Sequence, residues 1–348
     1  MSPAAAVRGR LMAAEIAEQP RVWRRVLTRA VEPIAAAAAR IAAAAPRFVL
    51  FAARGSSANA ALYAKYLVEV VHGLPAGLVS PSATTVYGAR PQLRDVLYVA
   101  VSQSGSSPDL VRCVEAARRQ GALTLTVTNN PASALAGAAE MHVDMLAGPE
   151  RSVAATKSYT AELLVLYLLF DRLRGGDGQH ATPLPDVADR VLAGEVDAVA
   201  HRYRFAQRLI TTGRGYSYAT AREAALKLME TCYLSAQAFS GADLLHGPLA
   251  TVDTQVPVLA VVPEGVAGRA MLPVLSRLAE RRADIVGVGA GPIPDQLATR
   301  ITLPGGIPQE LSPLLEILPL QQLALQLAIA RGGDPDKPRG LHKVTATL

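Results

Sequence analysis

The same order of strand, glycine turn and helix occurs twice in this chain, with about 160 positions between the two copies. In the first copy, an apolar run at residues 47–51 leads through Arg54-Gly55-Ser56-Ser57 into an alanine-rich helix that we expect to end near residue 71. In the second copy, the run at 208–210 leads through Arg214-Gly215-Tyr216-Ser217 into a predicted helix over residues 219–234. Strands that alternate with helices are typical of parallel sheets. The duplication therefore predicts two similar α/β domains, each a parallel sheet flanked by helices.

A segment rich in glycine and proline, residues 175–185, is interpreted as the connection between these domains. A length of 348 residues suits two domains of ordinary size. We therefore divide the chain into an N-terminal helical segment (1–43), a first domain (44–175), a linker with a helix (176–200), a second domain (201–335) and a C-terminal tail (336–348).

The first domain contains a loop suited to binding an anion. An apolar run at residues 98–101 is followed by Ser102-Gln103-Ser104-Gly105-Ser106-Ser107, and Pro108 then fits the first turn of a helix. Backbone N–H groups at a helix N-terminus, helped by small hydroxyl groups, bind phosphate well. Because this loop holds no lysine or carboxylate, we expect it to bind a phosphate group without transferring it. An ordinary serine-rich turn is the alternative. The second copy has Val262-Pro263-Glu264 at this position, so only the first domain is expected to bind phosphate.

Composition argues against several classes of protein. The net charge of +6 is spread along the chain without a basic run rich in aromatic residues, so we do not expect a nucleic-acid partner. The six histidines lack metal-ligand spacing and the two cysteines are isolated, so we expect no metal and no cofactor. We predict neither a signal peptide nor a membrane span, and we expect a cytoplasmic protein.

Lysine is rare in this chain, since only five of its 35 basic residues are lysines. The lysines are therefore candidates for reactions that a guanidinium group cannot perform, such as imine formation. They are Lys65, Lys157, Lys227, Lys337 and Lys343.

The second domain carries ionisable residues at helical spacing. Glu223, Lys227 and Glu230 are four and three positions apart, so their side chains share one face of a helix. Because the neighbouring residues are mostly apolar, we expect this face to line a cleft; an exposed stripe of ion pairs is the alternative. His246 precedes a Gly-Pro turn and Lys343 lies near the end of the chain. A buried core histidine and a solvated terminal lysine are the simpler interpretations of these two residues.

Taken together, these segments resemble the sugar isomerase (SIS) family, and within it the isomerase domain of glucosamine-6-phosphate synthases. The resemblance implies two tandem SIS domains, each a flavodoxin-like three-layer sandwich. The motifs that carry it are residues 12–20, Gly55-Ser56-Ser57, Ser102-Gln103-Ser104-Gly105, residues 147–150, residues 153–157, residues 223–230, His246-Gly247-Pro248-Leu249 and Lys343.

The resemblance also implies roles for individual residues. Glu230 matches the base that moves a proton between C1 and C2 of the sugar, and Glu223 and Lys227 match residues that orient the sugar and tune this base. His246 matches a group that assists ring opening across a dimer interface, and Lys343 matches a lysine that forms an imine with the ketose. The residues that match sugar-phosphate-binding positions are Gly55, Ser56, Ser57, Ser102, Gln103, Ser104, Ser107, Ala154, Ala155, Thr156 and Lys157.

Departures from the family pattern limit what the resemblance implies. We do not expect the glutaminase domain of the synthases, because Ser2 follows Met1 and the isomerase pattern begins by residue 12. Ser106 and Ala155 replace an acidic residue and a serine of the family, which leaves the identity of the sugar open.

We therefore expect a glucosamine-6-phosphate deaminase that forms fructose 6-phosphate and ammonia, acting as a homodimer with composite active sites. The alternatives are ammonia- or partner-dependent synthesis of glucosamine 6-phosphate, a fructosamine-6-phosphate deglycase, and a non-catalytic sugar-phosphate sensor.

Overall fold

Each copy of the duplicated pattern forms its own five-stranded parallel sheet, which confirms the predicted fold class. A computed structural model describes residues 8–294 and 299–343. Residues 1–7 of the predicted N-terminal segment and residues 344–348 of the predicted tail lie outside the described residues.

By their internal contacts, the described residues divide into two units. The first-sheet unit contains residues 19–149 and 157–185. The second-sheet unit contains the described residues of 8–18, 150–156 and 186–343. Residues 8–18 and 150–156, which precede the second copy in the sequence, therefore belong to its unit.

The strands of the first-sheet unit are β1 (Phe48–Ala53), β2 (Ala76–Leu78), β3 (Val96–Ser102), β4 (Leu123–Thr128) and β5 (Met141–Asp144). Their order in the sheet is β2-β1-β3-β4-β5. All seven residues of β3 are buried, as is typical of a strand inside a parallel sheet covered by helices. Ala53 at the end of β1 pairs with Val101 in β3, so the loops after these two strands begin side by side. The strand order reverses at this point, and open α/β sheets bind their ligands at such a position.

The second-sheet unit repeats this arrangement. Its strands are β6 (Arg208–Gly213), β7 (Ser235–Ser240), β8 (Pro257–Val261), β9 (Asp284–Gly289) and β10 (Thr299–Thr302). Their order is β7-β6-β8-β9-β10, and neighbouring strands are again parallel. β6 and β8 therefore correspond to β1 and β3.

Helices connect the strands of both sheets. Among the described residues they are α1 (Arg10–Ala17), α2 (Gln19–Arg29), α3 (Val31–Ala44), α4 (Gly55–Val71), α5 (Pro81–Thr85), α6 (Pro108–Arg119), α7 (Ala134–Ala138), α8 (Lys157–Leu173), α9 (Leu184–Leu192), α10 (Asp197–Tyr203), α11 (Tyr216–Cys232), α12 (Gly241–Leu245), α13 (Val266–Glu280) and α14 (Ser312–Ala330). Short 3-10 helices occupy Gln179–Ala181 and Pro248–Thr251. The predicted connection between the domains thus includes the start of α9.

Each sheet has its own hydrophobic core. In the first-sheet unit, Tyr98, Leu110 and Leu135 belong to one buried cluster that joins β3 to α6 and α7. In the second-sheet unit, Val258 and Leu275 belong to a cluster that joins β8 to α13. The loops that follow β3 and β8 are thus anchored on packed elements.

We expected no membrane span, but helix α14 meets the simple criteria for one. Within the described part of the chain, it is the one helix long and apolar enough to do so by length and composition. However, 78% of the window concerned is buried in the structure, as is typical of the core helix of a folded domain.

Candidate active site

The serine loop, residues 102–107, connects β3 to α6, and α6 begins at Pro108 as predicted. Hydrogen bonds within the loop fix its hydroxyl groups. Ser102 Oγ accepts the N–H of Gly105 at 3.2 Å, and Ser104 Oγ accepts the N–H of Ser106 at 3.2 Å. These two N–H groups, which we expected to face an anion, are therefore used inside the loop. A hydroxyl that accepts a hydrogen bond still has its own proton to donate, so the loop offers hydroxyl donors at fixed positions.

Gly105 allows the serine loop to turn sharply. Its φ angle of +63° lies in the left-handed region that favours glycine. A Cβ atom here would lie 2.1 Å from Ser133 Oγ, and that hydroxyl caps α7 by accepting the N–H of Ala136. A side chain at position 105 would therefore disturb both the loop and the start of α7.

Ser57 lies at the N-terminal end of α4, but its hydroxyl has a partner inside the protein. Ser57 Oγ donates a hydrogen bond of 2.7 Å to Glu162 Oε1, and both side chains are buried. A serine hydroxyl has a single proton, so in this state the proton is directed to Glu162 and not to a ligand. Sequence reasoning missed Glu162, although its place in a motif-bearing helix was a usable signal.

An arginine that sequence reasoning missed is held at the edge of the same sheet. Arg54 is the residue before α4, and its Nε and Nη2 atoms lie 2.9 and 2.8 Å from Asp109 Oδ2. Asp109 is buried in the first turn of α6, whereas half of the Arg54 side chain is exposed. The pair thus fixes a cation at the ends of β1 and β3, where the strand order reverses.

In the second-sheet unit, the three ionisable residues on α11 contact one another. Lys227 Nζ lies 2.5 Å from Glu230 Oε2 and 3.3 Å from Glu223 Oε1. The side chains of Glu223 and Lys227 are 0% exposed and that of Glu230 is 23% exposed. The interpretation as an exposed stripe of ion pairs is therefore wrong, and Glu230 is the member of the three that solvent reaches.

The charge on Lys227 follows from these contacts. Burial alone would lower the pKa of Lys227, but the carboxylates of Glu223 and Glu230 outweigh burial and raise this pKa above its ordinary value. Lys227 therefore stays an ammonium group at any physiological pH. Its positive charge, fixed beside Glu230, can stabilise negative charge that develops on a substrate there.

His246 is not a core residue. It follows α12, its side chain is exposed, and its backbone N–H donates to the carbonyl of Asp243 at 3.0 Å. The simpler interpretation of His246 as a buried structural histidine is therefore wrong.

Lys343 is not a solvated end either. Its Nζ atom lies 2.7 Å from Glu150 Oε2, and the Glu150 side chain is 0% exposed. Glu150 Oε1 accepts the N–H of Thr156 at 3.0 Å. Glu150 lies in one of the motifs that suggested the family, but no role was predicted for it.

The other predicted sugar-phosphate residues are divided between the units. Gly55 and Ser56 begin α4, and Ser107 immediately precedes α6. Residues 154–156 belong to the second-sheet unit, whereas the buried Lys157 begins α8 in the first-sheet unit. Within residues 8–294 and 299–343, no group of three or more His, Cys, Asp or Glu side chains is arranged to hold a metal ion.

Comparisons with known proteins agree with this architecture. A relative from Methanothermobacter thermautotrophicus, named glutamine–fructose-6-phosphate aminotransferase [isomerizing], is 33% identical in an alignment of 303 positions that covers 85% of this chain and 51% of the relative. The chain thus spans about half the length of the curated relatives it matches.

Two solved structures are similar along almost the whole chain. One, from Silicibacter pomeroyi DSS-3 and provisionally described as a phosphosugar isomerase, is 33% identical with a TM-score of 0.86, covering 94% of this chain and 100% of that one. The other is the C-terminal domain of a glucosamine-fructose-6-phosphate aminotransferase from Francisella tularensis, 25% identical with a TM-score of 0.83, covering 97% and 100%. The SIS domain model matches residues 44–172 and 203–330. The chain therefore belongs to the SIS domain family.

Proposed function

We propose that this chain moves a proton between C1 and C2 of an open-chain amino-sugar phosphate, converting glucosamine 6-phosphate and water into fructose 6-phosphate and ammonia. The observation that carries this proposal is the arrangement on α11, where the ammonium group of the buried Lys227 donates a hydrogen bond to the carboxylate of the partly exposed Glu230. A carboxylate held in this way can take a proton from carbon and return it. The fixed ammonium group favours the transition state by its charge.

The serine loop supplies the binding of the substrate's phosphate. Ser102 and Ser104 hold their hydroxyl groups in place, and each can donate to a phosphate oxygen. Gln103, Ser107 and Ser57 complete the set that the family resemblance implies. Binding energy gained at the phosphate, remote from the reacting carbons, positions C1 and C2 for the reaction.

The reaction then needs three further groups. His246 assists opening of the sugar ring. Glu230 removes the proton from C2 of the open-chain amino aldose and delivers it to C1. A second proton passes from the amine nitrogen to O1, which leaves a hydroxymethyl group at C1 and an imine at C2. Water adds to C2, nitrogen leaves as ammonia, and the ketone of fructose 6-phosphate remains. Lys343 engages this carbonyl carbon.

Ammonia- or partner-dependent synthesis of glucosamine 6-phosphate is the second candidate. It uses the same residues in the opposite direction, and it is favoured by the 33% identity to a relative named as an isomerizing aminotransferase of fructose 6-phosphate. Only about half of that relative is matched, so its use of glutamine is not part of our proposal.

A panel of phosphorylated amino sugars tests the proposal, with ammonia release and ketose-phosphate formation measured together. We expect glucosamine 6-phosphate to yield both products in equal amounts, and Glu230→Gln to form both of them far more slowly. Aldose–ketose interconversion without ammonia would indicate a simple isomerase. Tight binding of sugar phosphates without any turnover would indicate a sensor.

We further propose that the active protein is a homodimer in which His246 acts at the partner's site. Mixing inactive His246→Ala and Glu230→Gln chains should then restore activity, because one of the two sites in each mixed dimer regains both groups. With free exchange of subunits, about a quarter of the wild-type activity is expected. Mixed dimers without activity would show that each site is built from one chain.

A further inference from the structure

The terminal lysine is held by a buried carboxylate to which neither the family resemblance nor the spacing of motifs assigned a role. Lys343 Nζ lies 2.7 Å from Glu150 Oε2, and the exposed fractions of the two side chains are 24% and 0%. We infer that Glu150 is a positioning residue that places the Lys343 amine for its reaction with the sugar carbonyl. This inference rests on the proposed function, in which Lys343 engages C2.

Glu150 is itself rigidly placed. Its second oxygen, Oε1, accepts the N–H of Thr156 at 3.0 Å and so closes the segment 150–156 on itself. The carbonyl of Thr156 accepts a hydrogen bond of 3.3 Å from Nε2 of Gln321, a buried residue of the core helix α14. One carboxylate oxygen is thus committed to the backbone, which leaves the other in a fixed position for Lys343.

The same segment is also held from helix α1. Glu15 is buried, and its carboxylate accepts the backbone N–H groups of Arg151 and Ser152, with Oε2 lying 3.2 Å from the Ser152 nitrogen. Two buried carboxylates therefore fix the segment that receives Lys343. An exposed ion pair would not require these buried hydrogen bonds. They hold the Glu150 carboxylate, and with it the Lys343 amine, at a defined position.

The chemistry of lysine explains why such a holder is useful. The side chain has a flexible four-carbon stem, and fixing it before the reaction removes an entropic cost from the step in which nitrogen attacks carbon. While it is held as an ammonium group beside Glu150, Lys343 cannot act as a nucleophile. Reaction with the bound sugar requires Glu150 to take one proton from Nζ; the neutral amine then adds to C2 and gives its two protons to the C2 oxygen, which leaves as water when the imine forms. Glu150 is therefore expected to restrain general reactivity and to promote reaction with the correctly bound sugar.

These two effects have opposite signs, and that makes the inference testable. We would compare wild-type protein with Glu150→Gln, which keeps an acceptor but loses the charge, and with Glu150→Asp, which keeps the charge on a shorter stem. Glu69→Gln is the matched control, because Lys65 and Glu69 form a pair with the same 2.7 Å distance on a side chain that is 35% exposed.

Two labelling reactions are followed by peptide mass spectrometry. In the first, formaldehyde and cyanoborohydride methylate lysines without any substrate, and Lys337 serves as the exposed internal reference. Relative to Lys337, Lys343 should be methylated at least threefold faster in Glu150→Gln than in wild type. In the second, borohydride traps the imine with fructose 6-phosphate. Trapping at Lys343 and kcat should each fall at least tenfold in Glu150→Gln, with KM changed less than threefold.

Glu150→Asp should lie between wild type and Glu150→Gln in both reactions, and Glu69→Gln should match wild type. Loosening of the structure around Lys343 would by itself also speed methylation and slow trapping, so the deciding variant is Glu150→Asp, whose carboxylate must restore trapping and kcat well above those of Glu150→Gln. Unchanged or parallel shifts in a folded Glu150→Gln protein, or no recovery in a folded Glu150→Asp protein, overturn the inference. If Glu150→Gln does not fold, as judged by circular dichroism, the same criteria apply to Glu150→Asp. If wild-type protein releases ammonia but traps no sugar, the reaction of Lys343 with C2 fails and this inference with it, while the proposed function stands. If wild-type protein releases no ammonia, the proposed function fails, and the formaldehyde reaction still decides whether Glu150 restrains Lys343.

Discussion

The two sheets have the same strand order, yet different side chains follow their corresponding strands. After β3 comes the serine loop, whereas after β8 the chain has Val262-Pro263-Glu264, which lacks hydroxyl groups. In the helices that follow the first strand of each copy, α4 and α11, it is the second copy that carries the ionisable residues. Counted from the matching serines Ser57 and Ser217, α11 carries Glu223, Lys227 and Glu230 where α4 carries Tyr63, Leu67 and Val70. Each unit thus carries one set of the proposed functional residues and lacks the other.

One feature is kept in both units, namely a buried hydrogen bond between a serine and a glutamate. Ser57 donates to Glu162 at 2.7 Å, and Ser217 donates to Glu316 at 2.9 Å. In each unit the serine lies in the first turn of the helix after the first strand of the copy, and the glutamate lies on a long buried helix. A carboxylate near a helix N-terminus is favoured by the helix dipole. Because the second-sheet unit keeps the pair without a serine loop, we infer that the pair serves the fold.

The largest expected effect is the loss of kcat when Glu230, the proposed base on α11 of the second-sheet unit, is replaced. Glu230→Gln keeps the shape of the side chain but cannot accept a proton, so kcat should fall by about 10²- to 10⁴-fold while substrate binding is largely retained. Glu69→Gln on α4, the corresponding helix, is the control and should leave kcat unchanged. A Glu230→Gln protein with a near-normal rate would remove Glu230 from the mechanism.

The next largest expected effect is on KM, when hydroxyl groups are removed from the serine loop, which the first-sheet unit carries and the second-sheet unit lacks. Replacing both Ser102 and Ser104 by alanine removes two hydroxyl donors, and each lost hydrogen bond to a charged phosphate should raise KM by roughly tenfold or more. KM for the unphosphorylated sugar should change little. Ser276→Ala, an exposed serine on α13, is the control. If both substrates are affected equally, the serine loop is structural and the phosphate is bound elsewhere.

The local elements could be predicted from sequence, whereas the pairs that connect them could not. Strand β3 and the start of α6 follow from an apolar run and from Pro108, which are signals contained in a few neighbouring residues. The contact between Ser57 and Glu162 spans 105 positions, and that between Glu150 and Lys343 spans 193. No local pattern encodes such a pairing, since it depends on which helices pack together.

Burial was equally hard to predict. The spacing on α11 placed Glu223, Lys227 and Glu230 on one face, but it could not show that the lysine is fully enclosed and the last carboxylate is not. Which side chains are enclosed depends on how α11 packs against other elements, and the helix it packs against most extensively, α14, lies far along the chain. This packing also decides which carboxylate is available to a substrate.

A smaller effect should make the stability of the second-sheet unit depend on pH through the Ser217–Glu316 pair. Burial raises the pKa of Glu316 from 4.5 to about 7, although hydrogen bonds from Ser312, Ser217 and Thr220 oppose this shift. Between these two pH values, the folded state keeps a proton that the unfolded state has released. The free energy of unfolding should therefore decrease as pH rises through this window, by about 3 kcal/mol at most.

Urea unfolding at pH 5 and at pH 7.5 measures this contribution. Glu316→Gln cannot ionise, so the difference in stability between wild type and this variant should change with pH in the stated direction. Glu280→Gln removes an exposed carboxylate of the same unit and should leave the slope unchanged. Identical slopes for wild type and Glu316→Gln would show that Glu316 has an ordinary pKa.

The smallest expected effect is the difference in KM between Ser57→Ala and Ser217→Ala, which tests whether Ser57 binds phosphate in addition to stabilising the fold. Ser57→Ala and Ser217→Ala each remove a hydrogen bond from a buried carboxylate, so each should lower stability by about 1–3 kcal/mol. The loss should be milder for Ser217→Ala, because Thr220 still donates to Glu316 at 3.0 Å. The family resemblance implies a phosphate-binding role for Ser57 and none for Ser217. Only Ser57→Ala should therefore also raise KM for the phosphorylated sugar, by a few-fold. Thermal unfolding and KM measured on both variants separate the two contributions. Equal KM values for the two variants would mean that Ser57, like Ser217, serves the fold alone, and that its hydroxyl still donates to Glu162 when substrate binds.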